Sequence, residues 1–245
     1  TMAGLAYDDT IGVAPGAQWI ACNAIDQSAN PGFDNDIIES FQWFADPDGD
    51  PGTVDDVPDV VQNSWGVHEG FTGYYDCDTR WWAVIDNCEA AGVVVTWSAG
   101  NEGYDGLRSP ADRASSLYNC FSVGSTQHSP PYTISSFSSR GPSTCPTILF
   151  PEWAIKPEVS APGSDIYSST FDGGYGYKSG TSMASPHAAG VAALVLAANP
   201  GWSNNQVRSQ LETTADDLGD PGRDAWYGYG LVDAVEAVGL HPPVA

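Results

Sequence analysis

Short apolar runs alternate along this chain with longer segments in which apolar residues return every three or four positions. The runs at residues 19–25, 60–64, 93–98 and 120–125 predict strands, and shorter extended pieces are expected at 135–138 and 165–169. Helical spacing predicts helices over 35–44, 79–91, 182–198, 204–213 and 232–238. Brief strands separated by helices argue for an α/β fold, a mainly parallel sheet covered on both faces.

The breaks between these elements have mechanical causes. Gly92 stands where the helix over 79–91 must stop and turn into Val93, Val94 and Val95, the common use of Gly at a helix C-terminus. Pro200 and Gly201 end the long apolar helix, and Ser203 is placed to cap the next one. No repeat or low-complexity linker divides the chain, so one domain over 1–245 is expected.

Charge narrows the partners. Thirty-one acidic residues against eight basic ones give a formal charge of −23. Such a surface repels nucleic acid and anionic membranes, so neither is an expected partner. Acidic adaptation to high salt and an acidic secreted protein stabilised by calcium both fit this balance. No run of about 18 residues has the apolarity of a membrane span, and Thr1-Met2-Ala3-Gly4 lacks the layout of a signal peptide. Any export information is therefore expected upstream. Five cysteines without Cys-x-x-Cys spacing point to an oxidising compartment with two disulfides and one free thiol. A helix over 79–91 rises about 1.5 Å per residue, which sets Cys77 too far from Cys88 to pair. The pairing Cys88 with Cys120 and Cys77 with Cys145 is favoured, leaving Cys22.

The chemistry concentrates in Gly180-Thr181-Ser182-Met183-Ala184-Ser185-Pro186-His187. This run places a hydroxyl at the start of a helix, where free N–H groups and the positive dipole end favour developing negative charge. A Ser entering a core helix is commonly no more than a cap. Here the run closely resembles the Gly-Thr-Ser-Met-Ala signature of subtilisin-like serine proteases. Ser98-Ala99-Gly100-Asn101-Glu102-Gly103 resembles the family segment whose Asn donates into the oxyanion hole, and Asn63-Ser64-Trp65-Gly66 its substrate-binding strand. Further likenesses lie at residues 11–17, 156–163 and 228–234. The resemblance implies a three-layer subtilisin-like fold with the mainly parallel sheet between helices. It implies Ser182 as nucleophile and Asn101 as oxyanion donor. A peptide or protein substrate would then pair with the backbone of Ser64, Trp65 and Gly66, its P1 side chain lying between these and Ser98, Ala99 and Gly100. Glu102 would sit at the rim, where an acidic group favours Lys or Arg at P1 only weakly because water screens it.

His187 matches a structural histidine of that family and lies well round the helix from Ser182, so it is not expected to take the serine proton. The family's catalytic Asp lies on an early strand inside the sheet, and its His at the start of the next helix. The first residues here resemble the tail of that helix. The N-terminal strands and the start of the His helix are therefore expected upstream of Thr1, and residues 1–245 alone are expected to be inactive or nearly so. No cofactor is expected for catalysis. Asp46, Asp48 and Asp50, in a loop that also carries Asp55 and Asp56, have the alternate spacing of the first half of a calcium loop. Pro51 and the missing final Glu depart from the EF-hand pattern, and a solvated acidic loop is the plainer reading. The expected protein is a secreted, monomeric serine endopeptidase completed by the upstream segment of the same domain. A non-catalytic, subtilase-like peptide-binding module is the alternative.

Overall fold

A computed structural model describes residues 1–6, 9–25, 28–114, 120–145 and 151–240. After a small antiparallel pair, β1 (Leu5–Ala6) and β2 (Asp9–Thr10), come α1 (Pro31–Ala45), β3 (Val60–Asn63), α2 (Trp82–Ala90), β4 (Val94–Ser98) and β5 (Phe121–Gln127). Then follow β6 (Val159–Ser164), a hairpin of β7 (Ile166–Ser169) and β8 (Tyr175–Lys178), and α3 (Thr181–Ala198), α4 (Asn204–Thr213) and α5 (Ala234–Ala237). Strands β3, β4, β5 and β6 form one parallel sheet in that order.

Three layers follow from which way the strand residues point. Val95 and Trp97 of β4 face α1 and α2, packing with Phe33, Ile37, Phe41, Trp81 and Ile85. Val94, Phe121, Val123, Val159 and Ala161 face the other way, against Ala184, Ala188, Val191 and Val195 of α3. All five residues of β4 are buried, as a strand covered on both faces requires. The first layer is aromatic. Trp65 sits edge-on to Phe33, Trp81 and Trp97 with ring centroids 5.6, 5.1 and 5.0 Å away. Against the expectation that no run of about 18 residues is apolar enough to span a membrane, α3 is so by length and composition alone; its packing against the sheet accounts for its apolarity.

Local signals set the helix ends. Asn30 caps α1 by accepting from the amides of Gly32 and Phe33, with Pro31 in the first turn. Ser203 and Gln206 form a capping box on α4, and Gly92 adopts φ of 102° just past α2.

Several expectations are corrected. Residues 19–25 form no strand. Trp19, Ile20 and Ile25 are 69%, 48% and 51% exposed, because among the described residues no strand covers this segment and β3 is an edge of its sheet. Helix α2 begins at Trp82, after a turn that ties the Trp82 amide to the Thr79 carbonyl. Residues 135–138 form no strand, only an isolated bridge from Ile134 to Thr126. Strands β6 and β8 were not expected. The disulfide Cys77–Cys145 is present with Cα atoms 5.2 Å apart, and Cys22 is free and exposed. Cys88 and Cys120 are both free and buried. The helix-length argument excluded Cys77 with Cys88; it did not require the remaining two to join. Burial pushes the Cys88 thiol up to about 12 and raises that of Cys120 as well, so both remain protonated core groups.

Candidate active site

Helix α3 starts beside the C-terminal ends of β3 and β4, and its first turn is fastened to both. The Thr181 hydroxyl is buried; it donates to the Gly100 carbonyl at 3.1 Å and accepts from the Gly100 amide at 3.2 Å. The Thr181 amide donates to Asn101 Oδ1 at 2.9 Å. This contact turns the carbonyl end of the Asn101 side chain onto the helix and leaves its Nδ2 to point elsewhere. A Cβ placed on Gly180 would lie 3.7 Å from Asn101 Nδ2, Asn101 Oδ1 and the Ser182 amide nitrogen alike, so the Asn101 side chain lies beside the start of α3. Below it, the Gly180 amide donates to Gly163 of β6 at 2.8 Å. A side chain at Gly163 would come within 2.7 Å of the Gly180 carbonyl, so the close approach requires glycine there.

Ser182 is tied to the substrate-strand candidate in both directions. Its hydroxyl donates to the Ser64 carbonyl at 3.3 Å, and the Ser64 hydroxyl donates to the Ser182 carbonyl at 2.9 Å. The second bond has a local cause. In a regular helix the Ser182 carbonyl would accept from residue 186, but that residue is proline and has no N–H. Ser64 supplies the missing donor. Trp65, expected as a substrate contact, turns its indole into the aromatic layer and donates from Nε1 to Asn63 Oδ1 at 3.0 Å. Its backbone, and not its indole, is left to meet a ligand.

His187 donates from Nδ1 to the Met183 carbonyl at 2.8 Å, since a carbonyl can only accept. Burial lowers its pKa, keeping the ring neutral. Among the described residues no histidine hydrogen-bonds Ser182. His68 accepts from the Gly70 amide, His128 bonds the Ser164 carbonyl, and His241 lies outside the described residues.

The acidic loop gathers a different trio from the expected one. Carboxylate oxygens of Asp46, Asp48 and Asp56 lie within 4.8 Å of one another. Asp50 stays out, accepting instead from the Gly52 amide at 3.0 Å. Oδ1 of Asp46 and Oδ1 of Asp56 are buried with no hydrogen-bond partner. A hard cation with oxygen ligands would satisfy both, so this donor set fits calcium better than the sequence-based trio does. Asp56 was visible as a charge in the loop; its folding back eight residues to accept from the Asp48 amide at 2.8 Å was not.

The sequence reading also missed Arg108. It holds Glu102 by ion-paired hydrogen bonds, from Nη2 to Oε1 at 2.5 Å and from Nε to both oxygens at 3.0 Å. The Asn101 amide and the Ser139 hydroxyl also donate to this carboxylate. Glu102 is half-buried, and burial alone would raise its pKa, but the Arg108 hydrogen bonds and charge outweigh that and lower it. The only early signal was scarcity: Arg108 is one of eight basic residues in the chain.

Fold and site together define an α/β protein whose parallel strands end at the N-terminal turn of a buried helix carrying Ser182. The chain belongs to the subtilase family: the Peptidase_S8 family description, "Subtilase family", matches residues 1–230. It is 37% identical to bacillopeptidase F of Bacillus subtilis (strain 168) over 257 residues, covering 97% of this chain and 16% of that protein. Subtilisin E of the same strain is 35% identical over 227 residues, covering 93% of this chain and 50% of that protein. Among solved structures, the S41 psychrophilic protease superposes with a TM-score of 0.67 at 30% identity, covering 84% of this chain and 65% of that one. The chain thus spans half or less of the length of the first two relatives.

Proposed function

We propose that this chain is the nucleophile-bearing part of a secreted serine endopeptidase. The observation that carries the reading is the placement of Ser182 in the first turn of α3 with the Asn101 side chain held beside that turn by the Thr181 amide; the Ser182 amide and Asn101 Nδ2 are the two donors the reading uses. Ser182 Oγ attacks the scissile carbonyl, and these donors receive the negative charge that develops on its oxygen. An extended polypeptide pairs with the backbone of Ser64 and Gly66, while selectivity comes from side chains around Ser98, Ala99 and Gly100. The proton of Ser182 passes to a histidine oriented by an aspartate, both upstream of Thr1 in the full-length protein. The exposure of Trp19, Ile20 and Ile25 and the position of β3 at the edge of its sheet among the described residues support a further strand between them. Secretion is supported by the Cys77–Cys145 disulfide and the acidic surface.

The test is a fluorophosphonate probe on the full-length protein. Labelling at Ser182, absent in Ser182→Ala and accompanied by peptide hydrolysis, is the expected result. Peptide binding without labelling would replace the enzyme by a non-catalytic binding module. Residues 1–245 alone are expected to hydrolyse peptides negligibly, and robust hydrolysis by them would require a base within the chain.

A further inference from the structure

The slot between Ser64–Trp65–Gly66 and Ser98–Ala99–Gly100 is not open: Arg108 crosses it. The Arg108 amide donates to the Ala99 carbonyl at 2.9 Å on one wall, and its Nη1 donates to the Gly66 carbonyl at 3.3 Å on the other. Both walls are bare where the side chain passes. A Cβ on Gly66 would lie 2.7 Å from Arg108 Cβ, and one on Gly100 would lie 3.0 Å from Arg108 Cγ. The guanidinium ends against the Glu102 carboxylate and stands 5.6 Å from the centre of the Phe71 ring.

We infer that Arg108 sets the P1 specificity of this protein by filling the slot and neutralising Glu102. The inference rests on the peptidase reading above. Its first consequence is steric. A large P1 side chain must displace a guanidinium fixed by hydrogen bonds to both Glu102 and Gly66, so short side chains are favoured over aromatic ones. Its second consequence is electrostatic. Glu102 alone would attract a cation, but its charge is already matched by Arg108, and a Lys or Arg at P1 meets a like charge in front of it. The rim preference expected from Glu102 by itself is thereby cancelled.

The two residues make opposite predictions when separated. Arg108→Gly opens the slot and leaves the Glu102 carboxylate unmatched, which favours Phe by space and Lys by charge. Glu102→Gln leaves the guanidinium in place without its counter-ion, which favours Glu at P1.

The experiment measures kcat/KM of the full-length protein on peptide anilides that differ only at P1, with fluorophosphonate labelling as the check that each variant has an assembled site. The unsubstituted protein is expected to prefer Ala over Phe and Lys by about tenfold or more, the scale on which pocket size discriminates. In Arg108→Gly the Phe-to-Ala and Lys-to-Ala ratios both rise about tenfold, and the Lys gain disappears in Arg108→Gly/Glu102→Gln. Should Arg108→Gly not fold, Glu102→Gln carries the test through a rise in the Glu-to-Ala ratio. Labelled variants whose P1 ratios stay within about threefold of the parent would overturn the role of Arg108. Failure of the unsubstituted protein to label would instead overturn the peptidase reading, and this inference with it.

Discussion

The two ends of the Asn101 amide serve different parts of the site. Oδ1 accepts from the Thr181 amide and so fixes the side chain to α3, while Nδ2 is left as the donor that the proposed function assigns to the oxyanion. A donor held this way needs no reorganisation when charge develops in front of it. Asn101→Ala in the full-length protein is therefore expected to lower kcat by about 10²–10³-fold with KM little changed, read from steady-state kinetics on one peptide. A matching rise in KM with kcat preserved would mean that Asn101 only binds substrate. Residues of this kind were legible because short motifs name them: Gly-Thr-Ser-Met-Ala marks Ser182, and Gly-Asn beside a buried strand marks Asn101. Arg108 was not, because it lies six residues past Glu102 in a loop with no motif. Its meaning comes only from crossing to Gly66. Trp65 was legible as part of a motif expected to meet substrate through its backbone, and alternation along the segment turns its indole into the core.

Elements were read best where packing on both faces forces a continuous apolar run, as in β4 and α3, and where a cap closes the end, as at Ser203. They were read worst where the partner decides. The run at residues 19–25 has strand composition but forms no strand, while β8 is a stretch of glycine, tyrosine and lysine that becomes a strand by pairing with β7. The acidic loop belongs to the same class, since the return of Asp56 upon Asp46 and Asp48 depends on the turn between them. Calcium at that trio would offset three converging carboxylates and occupy two oxygens that now have no partner. Millimolar calcium is expected to raise the melting temperature by several degrees, an effect lost in Asp48→Ala. An unchanged melting temperature at 10 mM calcium, about the upper end of useful affinities for such loops, would leave the cluster a solvated turn.

Across the whole molecule, buried carboxyls link stability to pH. Glu89 on α2 is buried, 3.6 Å from Arg208 and with neither oxygen hydrogen-bonded, and burial pushes its pKa up to about 7. Burial raises Glu212 to about 7 as well. Each holds a proton in the folded state that the unfolded chain has released above about pH 4.5. Their stabilising contribution is therefore present at low pH and lost as pH rises toward 7. Burial raises Asp112 too, to about 6, and so acts in the same direction, whereas His187, lowered by burial, acts in the opposite sense below about pH 6.5 and is one group against three. The net expectation is a melting temperature about 2–4 °C higher at pH 6 than at pH 8, with roughly half of that gain removed in Glu89→Gln. A higher melting temperature at pH 8 would show that Glu89 is ionised and matched by Arg208 in the fold. Pro186 has a consequence at this scale too. Because the first turn of α3 cannot close on itself at the Ser182 carbonyl, its last bond comes from Ser64, 118 residues earlier in the chain. The backbone around Ser182 is complete only after the strand and helix have docked. On the proposed function, a chain still folding carries the serine without its setting, and reactivity would arrive only with tertiary docking.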